Sequence, residues 1–338
     1  MLTPESHCVP SAKSNDSRFG AVAIGRNEGE RLKKCLQSLS AAAKIIYVDS
    51  GSTDGSAQWA RSQGVDVIDL AMDIPFTAAR ARNVGFRHLR DIASDLPYVQ
   101  FIDGDCELIK DWPEQATSFL DLHPEFAAVC GRRRERHPDQ SVYNWMCDRE
   151  WNGPSGQVRA FGGDVMLRVG ALDAVGGYRD DLIAGEEPEL CLRLRSAGWH
   201  IWRLGSEMTL HDAAMTRFGQ WWRRTQRSGY AFAQGAHMHG VSPERYRVWE
   251  SRRAWLWGLC LPLTCLLIAL TFKPWGWAIW LIYPLQVLRQ TARNRGSWSQ
   301  RAVLALFQVL ARFPEVWGQM KFTRDLLIGR QARLIEYK

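Results

Sequence analysis

The chain predicts an α/β fold on a mainly parallel central sheet, and three observations carry that expectation. From Phe19 to about residue 240, short apolar runs alternate with stretches of helical periodicity, the pattern of successive βαβ units. The apolar run Tyr98–Ile102 reads as a buried strand and stops at Asp103-Gly104-Asp105. Carboxylates at the carboxyl end of such a strand sit where open α/β sheets place their ligands. The composition, 46% hydrophobic and 23% charged over 338 residues, suits a globular chain of one large or two modest domains.

The elements follow in order. Ala21–Ile24 is a first strand, and Glu30–Leu39 carries Leu32, Cys35, Leu36 and Leu39 at helical spacing. Lys44–Val48 and Val65–Ile68 read as strands, with Ser56–Gln63 and Thr77–Leu89 as the helices after each. Regularity loosens after Cys130, where residues 131–162 are rich in Arg, Trp and Gly. Helical patterning returns at Val165–Val175 and Glu187–Ala197. Residues 1–18 are polar, without the apolar core of a signal peptide, and are expected to be a disordered leader. The main domain is expected over 19–240, with a helical region over 241–338.

That last region changes character at residue 254. Ala254–Phe272 is an uncharged run of about nineteen residues, near the length that spans a bilayer. Lys273-Pro274 interrupts it, and a second uncharged run, Trp275–Leu288, contains Pro284. Tryptophans lie near the ends of both runs, and Arg252, Arg253, Arg289, Arg293 and Arg295 flank the pair. Basic flanks favour an apolar hairpin, 254–288, with both ends cytoplasmic, against the alternative of a buried helical hairpin. Residues 301–328 suit either an interfacial amphipathic helix or an ordinary packed one. The net charge of +7 suits an anionic partner. Its basic residues are dispersed except at Arg132-Arg133-Arg134 and in the C-terminal region, so no nucleic-acid groove is expected. Eight cysteines without a CxxC pair read as reduced thiols of a cytosolic protein.

Five segments carry chemistry. Gly25-Arg26-Asn27-Glu28-Gly29 is a polar turn after strand one, without the GxGxxG fingerprint of dinucleotide folds. In Asp49–Ser56 a strand ends in an Asp able to accept from a base or ribose, while Asp54 suits loop order or capping. In Ala78–Gly85, Arg80 and Arg82 are two apart and leave a helix in different directions, so at most one reaches a site. Asp103 and Asp105 can hold a hard divalent cation, which commonly bridges to phosphates. Gly162-Gly163-Asp164 is followed by Glu186-Glu187-Pro188-Glu189. First-turn acids favoured by the helix dipole are one account of the glutamates; a general base with raised proton affinity is the other.

The order of these segments resembles the inverting family 2 glycosyltransferases of GT-A fold. The matching pieces are Asn27-Glu28, Asp49–Gly55, Ala81–Gly85, Asp103-Gly104-Asp105, Gly162–Asp164 and Glu186-Glu187. The resemblance implies that Asn27, Glu28, Asp49, Arg82 and Asp103 contact the donor nucleotide, and Gly162, Gly163 and Asp164 the donor sugar or acceptor. It further implies that Asp105 and Asp103, with His211 downstream, hold Mg2+ or Mn2+, and that Glu187 is the base, with Glu186 its rival. The expected reaction moves a sugar from a nucleoside diphosphate, UDP in the first instance, to a saccharide or lipid-linked acceptor. Envelope polysaccharide or glycolipid synthesis at the cytoplasmic face of the inner membrane is the expected setting. Two positions depart from the family pattern: Ile24-Gly25-Arg26 replaces Pro-x-Tyr, and Glu187 stands where Asp is usual. Trp199, Trp202 or the 131–160 segment are candidates for an aromatic acceptor wall. A DxD-type phosphatase would want its acidic pair after strand one, and a sugar nucleotidyltransferase a Gly-rich basic loop there; neither fits.

Overall fold

The computed structural model describes residues 17–330 and 335; the expected leader falls almost wholly outside them. The chain divides into two compact units, one up to Leu182 plus Glu186–Thr216, the other Ile183–Gly185 plus Arg217 onward.

The first unit opens with β1 (Phe19–Gly25), α1 (Glu30–Ser38), β2 (Lys44–Asp49), α2 (Ser56–Ser62), β3 (Asp66–Asp69) and α3 (Ala78–Ile92). It continues through β4 (Tyr98–Asp103), β5 (Cys106–Leu108), α4 (Trp112–Leu122), β6 (Phe126–Glu135) and α5 (Val142–Trp151). It ends with β7 (Gly156–Gln157), β8 (Val165–Arg168), α6 (Val169–Ala174), α7 (Glu186–Ser196) and β9 (His200–His211). One sheet gathers the strands in the order β3-β2-β1-β4-β8-β6-β9-β5, with β7 on β9. The half made by β1 to β4 is parallel, as βαβ units require. Beyond β4 the sheet is mixed. Strand β8 runs antiparallel to both β4 and β6, while β6 and β9 are parallel.

Two readings are corrected here. Val165–Arg168 is a strand, not the start of a helix; helix begins only at Val169. The sequence is apolar there with no decisive period, and the slot between β4 and β6 buries Val165, Met166 and Leu167 completely. The irregular stretch after Cys130 begins as the second half of a ten-residue strand.

Helix α3 shows how sequence sets packing. Its Gly85 lies against β1 and β2: a Cβ there would come within 2.4 Å of Val22 Cγ1 and 2.9 Å of Val48 Cγ2. Both neighbours are β-branched and fully buried, so they cannot turn aside. Gly85→Ala is therefore expected to cost about 1–3 kcal/mol of stability as overpacking, read by urea denaturation.

The second unit is helical: α8 (Phe218–His239), α9 (Val248–Trp255), a π-helical turn (Leu256–Cys260), α10 (Leu261–Thr271), a 3-10 turn (Trp275–Leu281), α11 (Ile282–Arg293), α12 (Trp298–Leu310) and α13 (Arg312–Leu327). Helices α8 and α13 cross closely, since a Cβ on Gly229 would meet Glu315 O at 2.0 Å and one on Gly318 would meet Gln226 O at 2.0 Å. Helix α9, the π turn and α10 run on as one helix, Val248–Thr271, of 24 residues, long and apolar enough by length and composition to cross a bilayer. Leu263, Leu266, Leu267 and Leu270 lie exposed along it. The second arm of the expected hairpin is not one helix, because the 3-10 turn occupies its first half and α11 starts at Ile282. Pro284 suits the first turn of that new helix, where no partner for its missing N–H is needed.

Candidate active site

The site lies at the carboxyl ends of β1, β2 and β4. Around β1 the loops are stapled to each other. Asn27, in the left-handed region at φ 56°, accepts from Thr53 N at 2.7 Å through Oδ1, and its own N–H donates to Ser52 Oγ at 2.9 Å. Glu28 pairs with Arg31 at 2.7 Å. Asp49 is buried; Tyr47 Oη donates to Oδ1 at 2.8 Å, and the N–H groups of Gly51 and Ser52 donate to Oδ2 at 3.0 and 2.7 Å. Asp54 accepts from Ser56 N at 3.0 Å and orders the turn into α2. These side chains thus build the loops that line the sheet edge.

The Ala81–Gly85 stretch of α3 divides its work by direction. Arg82, only 2% exposed, sends Nη2 to Asp103 Oδ1 at 2.8 Å and Nη1 to Glu186 Oε1 at 2.9 Å and Glu187 Oε1 at 3.4 Å. Its guanidinium lies 5.5 Å from the centre of the Tyr178 ring. Asn83 holds the loop leading to α7, donating to Tyr178 O at 2.7 Å and Asp180 Oδ1 at 2.6 Å and accepting from Tyr178 N at 2.9 Å. Arg80 points elsewhere, donating to the carbonyls of Ile74 and Pro75. Neither arginine is the solvated basic face that charge spacing alone allows, since both are buried.

Asp103 sits between two arginines. Besides Arg82, Arg133 Nη2 reaches its Oδ2 at 2.7 Å. Burial alone would raise the Asp103 carboxyl; the charges of Arg82 and Arg133 outweigh it and hold the group well below the usual range. Arg133 also pairs with Asp164 at 2.9 Å and lies over the Trp151 ring. Asp164, completely buried, accepts from Asp103 N at 3.0 Å and Thr209 Oγ1 at 2.7 Å. Its carboxylate braces β4 against β9. Gly163 is pressed against this cluster: a Cβ would meet Asp103 Oδ2 at 2.5 Å and Arg82 Nη2 at 2.9 Å. Gly162, next to it, is exposed with nothing near.

Asp105 turns the other way, toward β9. His211 Nε2 is 3.4 Å from Asp105 Oδ2, and both residues are buried. Burial and then the charge of Arg133 push the imidazole below its ordinary pKa, which keeps it in the neutral, ligating form. Carboxylate oxygen with imidazole nitrogen is a donor set that suits a hard or borderline divalent cation. The ligand atoms of Asp105, Cys106 and His211 lie within 4.8 Å of one another; those of Asp103, Cys106 and Asp164 form a second such group. The second group is already engaged by Arg133, so Asp105 and His211 fit a cation better. A pocket of about 210 Å³ opens beside Asp105, with Arg31, Lys34 and Arg136 among its walls.

Glu186 and Glu187 open α7. Glu186 is buried on Arg82, and Glu189 is taken up by Arg193 at 2.9 Å. Glu187 makes the longer contact to Arg82, at 3.4 Å against 2.9 Å for Glu186. Burial, and then the charge of Glu186, push its carboxyl up to about 7 against the pull of Arg82. A carboxylate so poised can take a proton near neutral pH.

Sequence reasoning missed Arg133 and Thr209. Within Arg132-Arg133-Arg134 the strand period of two turns Arg133 inward, its side chain 15% exposed against 32% and 45% for its neighbours. Extending the strand through that run would have singled it out. Trp202 stacks on Phe119 at 5.6 Å and meets Phe126 edge-on. Trp151, on α5, borders the site beside Arg133 and His211, as the Tyr178 ring does beside Arg82.

Comparison with known proteins agrees with this architecture. A mannosyltransferase from Pyrobaculum calidifontis, solved with GDP-Man and Mn2+, superposes with a TM-score of 0.62 at 16% identity, covering 91% of this chain and 87% of its own. TarS 1–349 from S. aureus, solved with UDP-GlcNAc, aligns at 14% identity with a TM-score of 0.49, over 93% and 92% of the two chains. The chain has no match among curated proteins. Residues 23–171, from the end of β1 through β8 and including the paired aspartates, match the family model of glycosyl transferase family 2.

Proposed function

We propose that this protein moves a sugar from a nucleoside-diphosphate sugar, a UDP-sugar in the first instance, to an acceptor hydroxyl by one inverting displacement. The observation that supports this most directly is Arg82, which ties Glu186 and Glu187 on one side to Asp103 on the other. A proton-accepting carboxylate is thereby held beside the end of β4, where a donor would lie. Glu187 takes the proton of the attacking hydroxyl, and Glu186 keeps the proton affinity of Glu187 high. Asn27, Glu28 and Asp49 shape the nucleotide end of the cleft. Asp103, fixed by Arg82 and Arg133, presents its edge to the ribose, while Gly162 and Gly163 leave backbone room for the sugar and Asp164 holds that turn in place. Asp105 and His211 would hold Mg2+ or Mn2+, which when bound neutralises charge on the leaving diphosphate.

The acceptor is a saccharide or a lipid-linked saccharide precursor in envelope polysaccharide or glycolipid synthesis. The support is the exposed apolar helix Val248–Thr271 with Arg252 and Arg253 in its first turns, which suits attachment at the cytoplasmic face of the inner membrane. Screening nucleotide sugars for donor hydrolysis, with and without EDTA, tests the reading. One donor class should be hydrolysed, and chelation should abolish it. Metal-independent turnover, or no hydrolysis of any nucleotide sugar, would count against it.

A further inference from the structure

We infer that Glu135 is the positioning residue of the metal corner: its buried carboxylate accepts the Nδ1 proton of His211 and so turns the bare Nε2 toward Asp105. The inference rests on the proposal that Asp105 and His211 hold a divalent cation. Glu135 ends β6, next to β9, with its side chain wholly buried. Its Oε2 lies 3.5 Å from His211 Nδ1 and accepts from Ala213 N at 3.0 Å. Its Oε1 accepts from His137 N at 3.1 Å and from Asn144 Nδ2 at 3.4 Å. On the far side of the imidazole, Nε2 is 3.4 Å from Asp105 Oδ2, and the Trp151 ring meets the imidazole edge-to-face with centroids 4.6 Å apart. The ring is therefore held from three directions.

A structural brace for two backbone N–H groups needs no charge; a neutral amide would accept them without the cost of burying an ion. Among the described residues the one ion-pair partner of Glu135 is His211. A carboxylate on one ring nitrogen fixes the tautomer and strengthens the other nitrogen as a ligand. Asn144 keeps the arrangement closed: Nδ2 also donates to His137 O at 3.1 Å, and Oδ1 accepts from Met215 N at 3.0 Å.

The test is Mn2+ alone titrated into the full chain, with free Mn2+ read by electron paramagnetic resonance. Glu135→Gln should weaken binding roughly tenfold or more, with an unchanged circular dichroism spectrum. In a His211→Ala background the same change should add less than about twofold, because a residue acting through His211 has nothing left to act on. Wild-type affinity in Glu135→Gln, or a full additional loss in the double variant, overturns the inference. If Asp105→Asn and His211→Ala both bind Mn2+ like the wild type, the metal reading itself fails and takes the inference with it. A second measurement needs no variant at Glu135. Nitrogen-15 NMR of the Mg2+-loaded wild type should show His211 protonated at Nδ1, and protonation at Nε2 would overturn the role.

Discussion

Glu187→Gln should lower kcat by roughly 10²–10⁴, the usual contribution of a positioned general base, and leave nucleotide binding close to wild type. The glutamine keeps the shape of the side chain but cannot accept a proton from the incoming hydroxyl. In the wild type the carboxyl titrates at about 7. The base works only when deprotonated, so kcat should rise with pH and level off above that value. Glu186→Gln offers the complementary result. Removing the charge of Glu186 removes the largest charge effect that raises Glu187, so the acidic limb should move to lower pH while turnover survives. Full activity in Glu187→Gln, with loss in Glu186→Gln, would exchange the two roles. Steady-state assays from pH 5 to 9 separate these outcomes.

Arg82→Met should destabilise the first unit by about 3–5 kcal/mol, the range for removing one partner of a buried ion pair. Methionine fills much of the same space, so the loss is chiefly electrostatic. Asp103, Glu186 and Glu187 would all keep their burial and lose their shared cation. The sign with pH follows from the shifts. Arg82 holds Asp103 below the ordinary carboxylate range, so its contribution is present above that range and fades as pH falls through the lowered value. Arg82 also pulls Glu187 down from where burial and Glu186 would put it, so its loss is felt most where Glu187 is ionised, above about 7. The deficit of the variant should therefore be greatest at alkaline pH and shrink on acidification. Urea denaturation at pH 8 and pH 5, followed by tryptophan fluorescence, checks both size and direction. Arg82→Lys should fall between, since one ammonium cannot serve three carboxylates with a planar fork.

Much of the first half of the chain was legible because local and tertiary signals agree there. Strands β1, β2 and β4 are short apolar runs buried on both sides, and the helices between them carry one apolar face. The Asp103-Gly104-Asp105 run was legible because a charged pair ending such a strand has few structural uses. What the sequence could not give was the division of labour inside it. Asp103 turns to two arginines and Asp105 to a histidine more than a hundred residues downstream, a distinction made by partners rather than by spacing. Arg133 and Glu135 were hidden for a related reason. They point inward from alternate positions at the end of β6, and the surrounding Arg-rich composition, which reads as solvent-facing, hides the continuation of the strand past Cys130.

The unequal surroundings of Gly162 and Gly163 bear on how such a cleft diversifies. Gly163 is a fixed point, since any side chain there displaces Asp103 and Arg82 together. Gly162 is an open position, exposed, with no atom near enough to resist a new side chain and no left-handed backbone to forbid one. Variation in the shape of what the cleft admits therefore has a permissive position one residue from the charged cluster. A library built on Gly162 would explore specificity while the chemistry stays in register.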